Sequence, residues 1–130
     1  MKIQIIYKED FNKYKDVIDM IHLENAYPHG YLIDDDYLTN ADKIVLVFID
    51  NRVVGYASLS KEDITPDEEC KFYIELSPNN IKIKQIAITK SYQNKGIGTV
   101  LINFIKKYAK DNNIDYIYLY SFSLNDKGKN

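Results

Sequence analysis

The chain has 130 residues and a mass of 15.2 kDa, which is the size of one ordinary domain. Its 45% apolar and 28% charged residues favour a single globular domain over residues 1–130 and argue against a disordered, collagen-like or membrane-spanning chain. The net charge is −2 and the basic residues are scattered, so neither nucleic acid nor a membrane is an expected partner.

Cysteine and histidine are too scarce for an internal disulfide or a structural zinc site. The chain holds one cysteine, Cys70, and two histidines, His22 and His29, neither of which receives a role here. We therefore expect metal-free chemistry in a reducing cytoplasm. The abundance of isoleucine, lysine, asparagine and tyrosine is typical of an AT-rich bacterial genome.

The first part of the chain predicts a strand, a helix and an irregular segment. Residues 2–7 favour a short strand, and Asp10 is a candidate N-cap for the helix that follows. Apolar residues recur along that helix at helical spacing: Phe11, Tyr14, Val17, Ile18 and Ile21. Residues 25–42 predict a loop with a short helix near residues 35–40.

The middle of the chain predicts an antiparallel meander. Residues 44–49 and 52–59 are β-branched, apolar runs joined by Asp50-Asn51, which is typical of a hairpin. Residues 72–76 and 81–88 repeat this arrangement.

The alternation of apolar residues within residues 81–88 slips by one position around Lys84 and Gln85. A regular strand would send the pair Ile81 and Ile83 to one face and the next two isoleucines to the other. One inserted residue returns both pairs to the same face, so the pattern predicts a β-bulge. The alternative is a regular strand whose end is buried on both sides.

A strongly amphipathic helix and a last strand complete the prediction. The apolar positions of the helix are Ile97, Val100, Leu101, Phe104, Ile105, Tyr108 and Ala109. The helix ends near Asn112-Asn113, and residues 114–122 favour a strand parallel to residues 81–88 through a right-handed crossover. The predicted fold class is α/β (α+β), with a mixed, mainly antiparallel sheet that has one parallel strand pair and is flanked by helices.

The segment Gln93-Asn94-Lys95-Gly96-Ile97-Gly98-Thr99 lies between the bulged strand and the strong helix. Two glycines at the start of a helix let a ligand approach the backbone, and the first-turn amides and the helix dipole suit an anion such as a pyrophosphate. The alternative is that Gly96 only permits a tight turn and Gly98 only permits close packing on the sheet. The spacing fits neither a Walker-type loop nor a dinucleotide fingerprint, because Ile97 and Leu101 occupy required positions.

These residues resemble the GNAT superfamily of acyl-coenzyme A-dependent N-acyltransferases. The family signature, Gln/Arg-x-x-Gly-x-Gly/Ala at the start of a long helix, is matched by residues 93–98. The preceding Leu-Ala-Val-like triplet is matched by Ile86-Ala87-Ile88, and residues 53–57 resemble the family's third strand. The order and spacing of these elements match from about residue 44 to residue 125.

The resemblance implies acetyl-coenzyme A as cosubstrate. The backbone amides of the glycine segment would bind its pyrophosphate. These residues are Gln93, Asn94, Lys95, Gly96, Ile97, Gly98 and Thr99. The main chain of Ile86, Ala87 and Ile88 would pair with the pantetheine arm, the Ile88 N–H would face the thioester oxygen, and Asn125 would contact the pantetheine.

The resemblance also implies that an amine attacks the thioester directly, which makes the protein an N-acetyltransferase for a primary amine of a small molecule or peptide. Many members use a strand glutamate as base, but the matching residue here is Gln85, which leaves Glu75 as a weaker base candidate. Glu24 and the acidic run Asp34-Asp35-Asp36 lie where the family binds its acceptor, although such a run is also typical of a solvated loop.

The carboxyl terminus departs from the family pattern. The expected domain lacks the usual C-terminal helix and strand pair, and only Tyr118 and Tyr120 are near enough to replace the tyrosine that protonates the thiolate, although both suit simple packing. A noncatalytic acyl-coenzyme A-binding module is therefore the alternative function. An uncovered apolar edge at residues 116–120 predicts a homodimer.

Overall fold

The computed structural model describes residues 1–26, 41–61 and 79–119. In chain order they form β1 (Lys2–Tyr7), α1 (Phe11–Ala26), β2 (Lys43–Ile49), β3 (Arg52–Ser60), β4 (Asn80–Ile88), α2 (Ile97–Asp111) and β5 (Tyr116–Leu119). Short 3₁₀ turns at Lys8–Asp10 and Lys90–Tyr92 precede the two helices. Within these ranges no helix combines the length and apolar character needed to cross a membrane.

The five strands form one sheet in the order β1-β2-β3-β4-β5. The pairs β1–β2, β2–β3 and β3–β4 are antiparallel, whereas β4 and β5 are parallel and joined through α2. This arrangement confirms the predicted mixed sheet and its single parallel pair. The predicted strand at residues 72–76 and the predicted short helix at residues 35–40 lie outside the described residues.

The turn between β2 and β3 is the predicted Asp50-Asn51 hairpin. Both residues have positive φ, 51° and 63°. Asparagine and aspartate tolerate this left-handed backbone, and two such residues in succession match the twist of a two-residue hairpin. The turn therefore sets the antiparallel register of β2 against β3.

The predicted β-bulge in β4 is confirmed. Ser58 pairs with Gln85, whereas the next residue of β3, Leu59, pairs with Ile83, so Lys84 is the inserted residue. Ile86 consequently packs in the same cluster as Ile81 and Ile83. The bulge thus directs the isoleucines at the end of β4 to the face of the sheet that α2 covers, the same face as Ile81 and Ile83.

The two helices cover opposite faces of the sheet. The α1 face buries Phe11, Ile18 and Ile21 of the helix against the strands, and α2 buries Ile97, Leu101, Ile105 and Ala109 on the other face. Because both faces are covered, four consecutive residues of β2, Ile44 to Val47, are buried. Val100 differs from the prediction, since its side chain is 39% exposed at the margin of the apolar stripe.

The strand β5 begins at Tyr116, two residues later than predicted. The preceding residues close the end of α2: Asn113 has a φ of 57°, and the N–H of Ile114 donates to the Ala109 carbonyl at 2.8 Å. This is the Schellman arrangement, in which a left-handed residue satisfies the last carbonyls of a helix. Ile114 therefore belongs to the motif that closes α2 and packs in the core beside that helix instead of starting the strand.

Candidate functional site

Within the described residues, β5 accompanies only the first part of the outer edge of β4. The parallel pairing runs from Asn80–Tyr116 to Ile83–Leu119, whereas β3 accompanies β4 up to Ile88. Within the described part of the chain, Lys84 to Ile88 consequently have no strand on the β5 side. The bulge at Lys84 lies where this open edge begins.

The peptide groups of Ile86 and Ile88 face that open edge. The N–H of Thr89 donates to the Val54 carbonyl at 2.8 Å, which makes these two residues a hydrogen-bonded pair of the β3–β4 ladder. Since such pairs alternate along an antiparallel ladder, Ile88 opposite Gly55 and Ile86 opposite Ala57 direct their N–H and C=O groups away from β3. A ligand lying along this edge would therefore meet the peptide groups of Ile86 and the N–H of Ile88.

The glycine turn, residues 93–99, lies beyond the end of β4 and leads into α2. Asn94 and Gly96 have left-handed φ values of 63° and 81°, and Gly96 is the N-cap of α2 with no side-chain cap bond. The amides of Ile97, Gly98 and Thr99 have no intrahelical acceptor, since they lie in the first turn of the helix. The turn thus presents donors and the positive end of the helix dipole.

Glycine occurs at positions 96 and 98 for two different reasons. Gly96 is explained by its backbone alone, because L side chains rarely adopt a φ of +81°. Gly98 has helical geometry, and a Cβ built there meets nothing within 4 Å. Close packing on the sheet therefore does not explain Gly98, and the space in front of it is open.

Two polar side chains of the turn are exposed and available to an anion. Lys95 lies with its Nζ 5.3 Å from the centre of the Tyr92 ring, and Thr99 is exposed on the first turn of α2. The main-chain N–H of Gln93 differs, since it donates to the Lys90 carbonyl at 3.2 Å. The free amides of the turn therefore begin after Gln93.

The last turn of α1 holds the segment between β4 and the glycine turn. The Glu24 carboxylate accepts from Thr89 Oγ1 at 2.8 Å and from the Lys90 N–H at 3.0 Å. Asn25 Nδ2 donates to the Ile88 carbonyl at 3.2 Å. Sequence reasoning missed Asn25, because a contact across 63 positions leaves no local pattern.

The side chain of Gln93, the first residue of the motif, also donates to the Ile88 carbonyl. Its Nε2 donates to the Ile88 carbonyl at 2.8 Å and to Asn25 Oδ1 at 3.1 Å. The end of β4, the end of α1 and the start of the glycine turn are thus tied together by three amide groups.

A second polar group lies on the α1 face of the sheet beside the bulge. His22 Nδ1 is 3.2 Å from the Tyr56 hydroxyl, which donates to Gln85 Oε1 at 3.0 Å. Burial, reinforced by the negative charge of Asp19, raises the pKa of Tyr56 well above its ordinary value. Tyr56 therefore stays protonated at neutral pH and acts as a hydrogen-bond donor and acceptor.

Ser58 lies next to this group and has no partner for its hydroxyl. It pairs with Gln85 across the ladder, its side chain is fully buried, and its Oγ forms no hydrogen bond with any residue that the structure describes. An unsatisfied buried hydroxyl typically costs about 1–3 kcal/mol of unfolding free energy.

The remaining candidates from the sequence are not brought into the site by the described residues. Glu75 and Asn125 lie outside them, as do Asp34-Asp35-Asp36 and Tyr120. The ring of Tyr118 stacks on that of Tyr116 with centroids 6.2 Å apart, which accounts for a packing role.

Comparison with known proteins identifies the relatives of this chain. Residues 4–129 match the model of the acetyltransferase (GNAT) family. An uncharacterized N-acetyltransferase in the pepI 3′ region of Lactobacillus delbrueckii subsp. lactis is 27% identical over 82 residues, which is 63% of this chain and 43% of that relative. The match thus spans less than half the length of this relative.

Solved structures share the fold. An aminoglycoside acetyltransferase from an uncultured soil metagenomic sample, in complex with sisomicin, superposes with a TM-score of 0.68 at 16% identity over 98% of this chain and 82% of that chain. A possible acetyltransferase from Clostridium difficile 630 gives 0.64 at 23% identity, over 98% and 85%. An aminoglycoside N-acetyltransferase in complex with CoA gives 0.59 at 16% identity, over 98% and 84%.

The family match covers nearly all of the chain and includes both β4 and the glycine turn. The chain belongs to the GNAT acetyltransferase family.

Proposed function

We propose that the protein transfers an acetyl group from acetyl-coenzyme A to a primary amine of a small molecule or peptide. The observation that carries this proposal is the edge of β4 beside the glycine turn, where Ile86 and Ile88 direct their N–H groups away from β3. Membership of a family that uses acyl-coenzyme A supports it.

The glycine turn fits the pyrophosphate of the cosubstrate. The free amides at the start of α2 are donors to an anion, and Gly98 leaves open the space that a side chain would fill. The residues assigned to this site are Asn94, Lys95, Gly96, Ile97, Gly98 and Thr99, with Gln93 placing the turn through its side chain. Asn125 is proposed to contact the pantetheine.

The open edge of β4 fits the pantetheine and the thioester. An extended arm would lie along Ile86, Ala87 and Ile88 as an added strand and pair with the groups of Ile86 and Ile88 that face away from β3, which places the Ile88 N–H at the thioester oxygen. As the amine nitrogen attacks, this N–H stabilises the negative charge that develops on the oxygen. The C–N bond then forms, the C–S bond breaks, the amine loses a proton and the thiolate gains one.

The amine must be neutral when it attacks. An alkylamine has a pKa near that of lysine, about 10.4, so it has to lose a proton at neutral pH. Gln85 cannot take this proton, because an amide is not a base, and Glu75 is therefore proposed as the base, acting through water.

The assembly and compartment are further parts of the proposal. β5 is an end strand of the described sheet, and Tyr116 is 57% exposed, which supports a homodimer through this edge. The single cysteine and the use of acetyl-coenzyme A support a cytoplasmic protein.

One paired experiment tests the function. Thiol release from acetyl-coenzyme A is followed across a panel of amines, and coenzyme A binding is measured by calorimetry on the same preparation. We expect both binding and amine-dependent release. Binding without release by any amine would instead identify a noncatalytic module, and absence of binding would contradict the cosubstrate assignment.

A further inference from the structure

The carbonyl of Ile88 lies on the same edge of β4 as the Ile88 N–H. Both groups face away from β3, because Ile88 and Gly55 form a non-hydrogen-bonded pair of the ladder. In an extended residue the two groups point in the same direction. A carbonyl oxygen with its partial negative charge therefore lies beside the group that would stabilise the oxyanion.

That carbonyl is covered by two side-chain amides. It accepts from Gln93 Nε2 at 2.8 Å and from Asn25 Nδ2 at 3.2 Å. Two donors reduce the negative potential of an acceptor, and this reduction is larger in a partly buried site than in water.

The orientation of both amides is fixed by their other bonds. Asn25 Nδ2 also donates to the Ile21 carbonyl at 2.8 Å, and Gln93 Nε2 also donates to Asn25 Oδ1 at 3.1 Å. Each nitrogen thus uses both of its hydrogens. Rotating either amide by 180° would place its oxygen against the Ile88 carbonyl oxygen. Both amides therefore direct their NH₂ groups, and not their oxygens, at this carbonyl.

We propose that Asn25 is a positioning residue for acetyl transfer, which together with Gln93 holds the Ile88 carbonyl and masks its charge beside the oxyanion donor. This inference rests on the proposed function. It adds that the reaction depends on a side chain of α1, a helix that contributes no group to the proposed cosubstrate site. Loss of Asn25 should lower kcat more than it weakens coenzyme A binding, because the masked charge matters most when the oxyanion forms.

Two substitutions separate masking from simple packing. Asn25→Ala removes the donor, whereas Asn25→Asp keeps the size of the side chain and replaces the donor by a negatively charged oxygen. If Asn25 only filled space, the isosteric Asp variant would retain more activity than the Ala variant. Masking predicts the reverse order. Asn12→Asp, at an exposed position of the same helix, is the matched control.

The first measurement needs no ligand. Protein labelled with carbonyl ¹³C in isoleucine and ¹⁵N in threonine gives one-bond carbonyl signals only from Ile–Thr peptides, of which the sequence holds two, Ile64-Thr65 and Ile88-Thr89. We expect both Asn25 variants to move the Ile88 carbonyl signal upfield, as loss of a hydrogen bond does, and to leave the Ile64 signal in place. An unmoved Ile88 signal would overturn the proposal whatever the activity.

The second measurement compares kcat with the Kd for coenzyme A. We expect kcat to fall by about tenfold in Asn25→Ala and further in Asn25→Asp, less than the loss of a direct oxyanion donor, while the Kd changes by no more than about threefold. Equal kcat in variant and wild type, or greater loss in Ala than in Asp, would overturn the inference. Wild-type protein that binds coenzyme A but acetylates no amine would instead overturn the proposed function.

Discussion

Gly55 and Ile88 face each other across the β3–β4 ladder so closely that a Cβ on Gly55 would lie 2.5 Å from Ile88 Cδ1 and 3.2 Å from the Ala87 carbonyl oxygen. The absence of a side chain on β3 thus lets Ile88 keep its place at the end of β4. The residue whose N–H is assigned to the thioester oxygen depends on a glycine in the neighbouring strand.

Gly55→Ala should therefore disturb both stability and catalysis. The added methyl group displaces Ile88 Cδ1, the end of a flexible side chain, and presses on the Ala87 carbonyl oxygen, so the loss of unfolding free energy should be about 1 kcal/mol, and kcat should fall. Urea denaturation and steady-state kinetics measure the two effects. Gly98→Ala is the control for stability, because a Cβ there meets nothing and should not destabilise the fold. Unchanged stability in Gly55→Ala would contradict the close contact.

Gly98→Glu should abolish coenzyme A binding while the protein stays folded. The new side chain extends into the open space in front of Gly98 and brings a negative charge to the site assigned to the pyrophosphate. Calorimetric titration with coenzyme A measures the loss, and circular dichroism checks the fold. Val100→Glu adds the same charge at an exposed position of the same helix and should retain binding. Wild-type affinity in folded Gly98→Glu would refute the assignment of this turn.

Gln85→Glu should raise kcat at neutral pH. A carboxylate at this position can take the proton of the amine, a contribution that is typically at least about 100-fold for a well-placed base. The Tyr56 hydroxyl now donates to Gln85 Oε1 and would donate to the carboxylate, which favours its ionised form and lowers its pKa. A flat or lower rate would mean that the proton leaves by another route.

The pH profile of this variant tests the role of Tyr56. Activity should rise with pH as the new carboxylate ionises. In the double variant Tyr56→Phe/Gln85→Glu, that rise should shift to higher pH, because the carboxylate loses a hydrogen bond to its charged form. Tyr56→Phe alone is the control for the loss of the hydroxyl. Identical profiles would show that Tyr56 does not contact the carboxylate.

Tyr118→Lys should convert a dimer into a monomer. A lysine in the middle of β5 places a charge on the edge through which two copies are proposed to pair, a device that blocks strand-to-strand association. Sedimentation velocity at micromolar concentration measures the change. Gln4→Lys on β1, the opposite end of the sheet, should leave the dimer intact. A wild-type monomer would contradict the proposed assembly.

The sequence by itself determined the elements that depend only on the order of residues within a short segment. Helical spacing of apolar residues predicted the buried faces of both helices, Asp50-Asn51 predicted a hairpin turn, and the slipped alternation around Lys84 predicted the bulge. Each of these patterns reflects which face of an element must be buried or which residue tolerates a left-handed backbone. The glycine motif was likewise visible, since its residues are contiguous.

Only the tertiary structure decided what surrounds those elements. It showed that Gly98 faces open space, that Ile86 and Ile88 direct their peptide groups away from β3, and that Ile114 closes the end of a helix where a strand was expected. It also brought Asn25 to Gln93 and Tyr56 to Gln85, although these residues are far apart in the chain. Side-chain hydrogen bonds of this kind leave no periodicity, because they depend on how helices and strands pack and not on the spacing of residues within one of them.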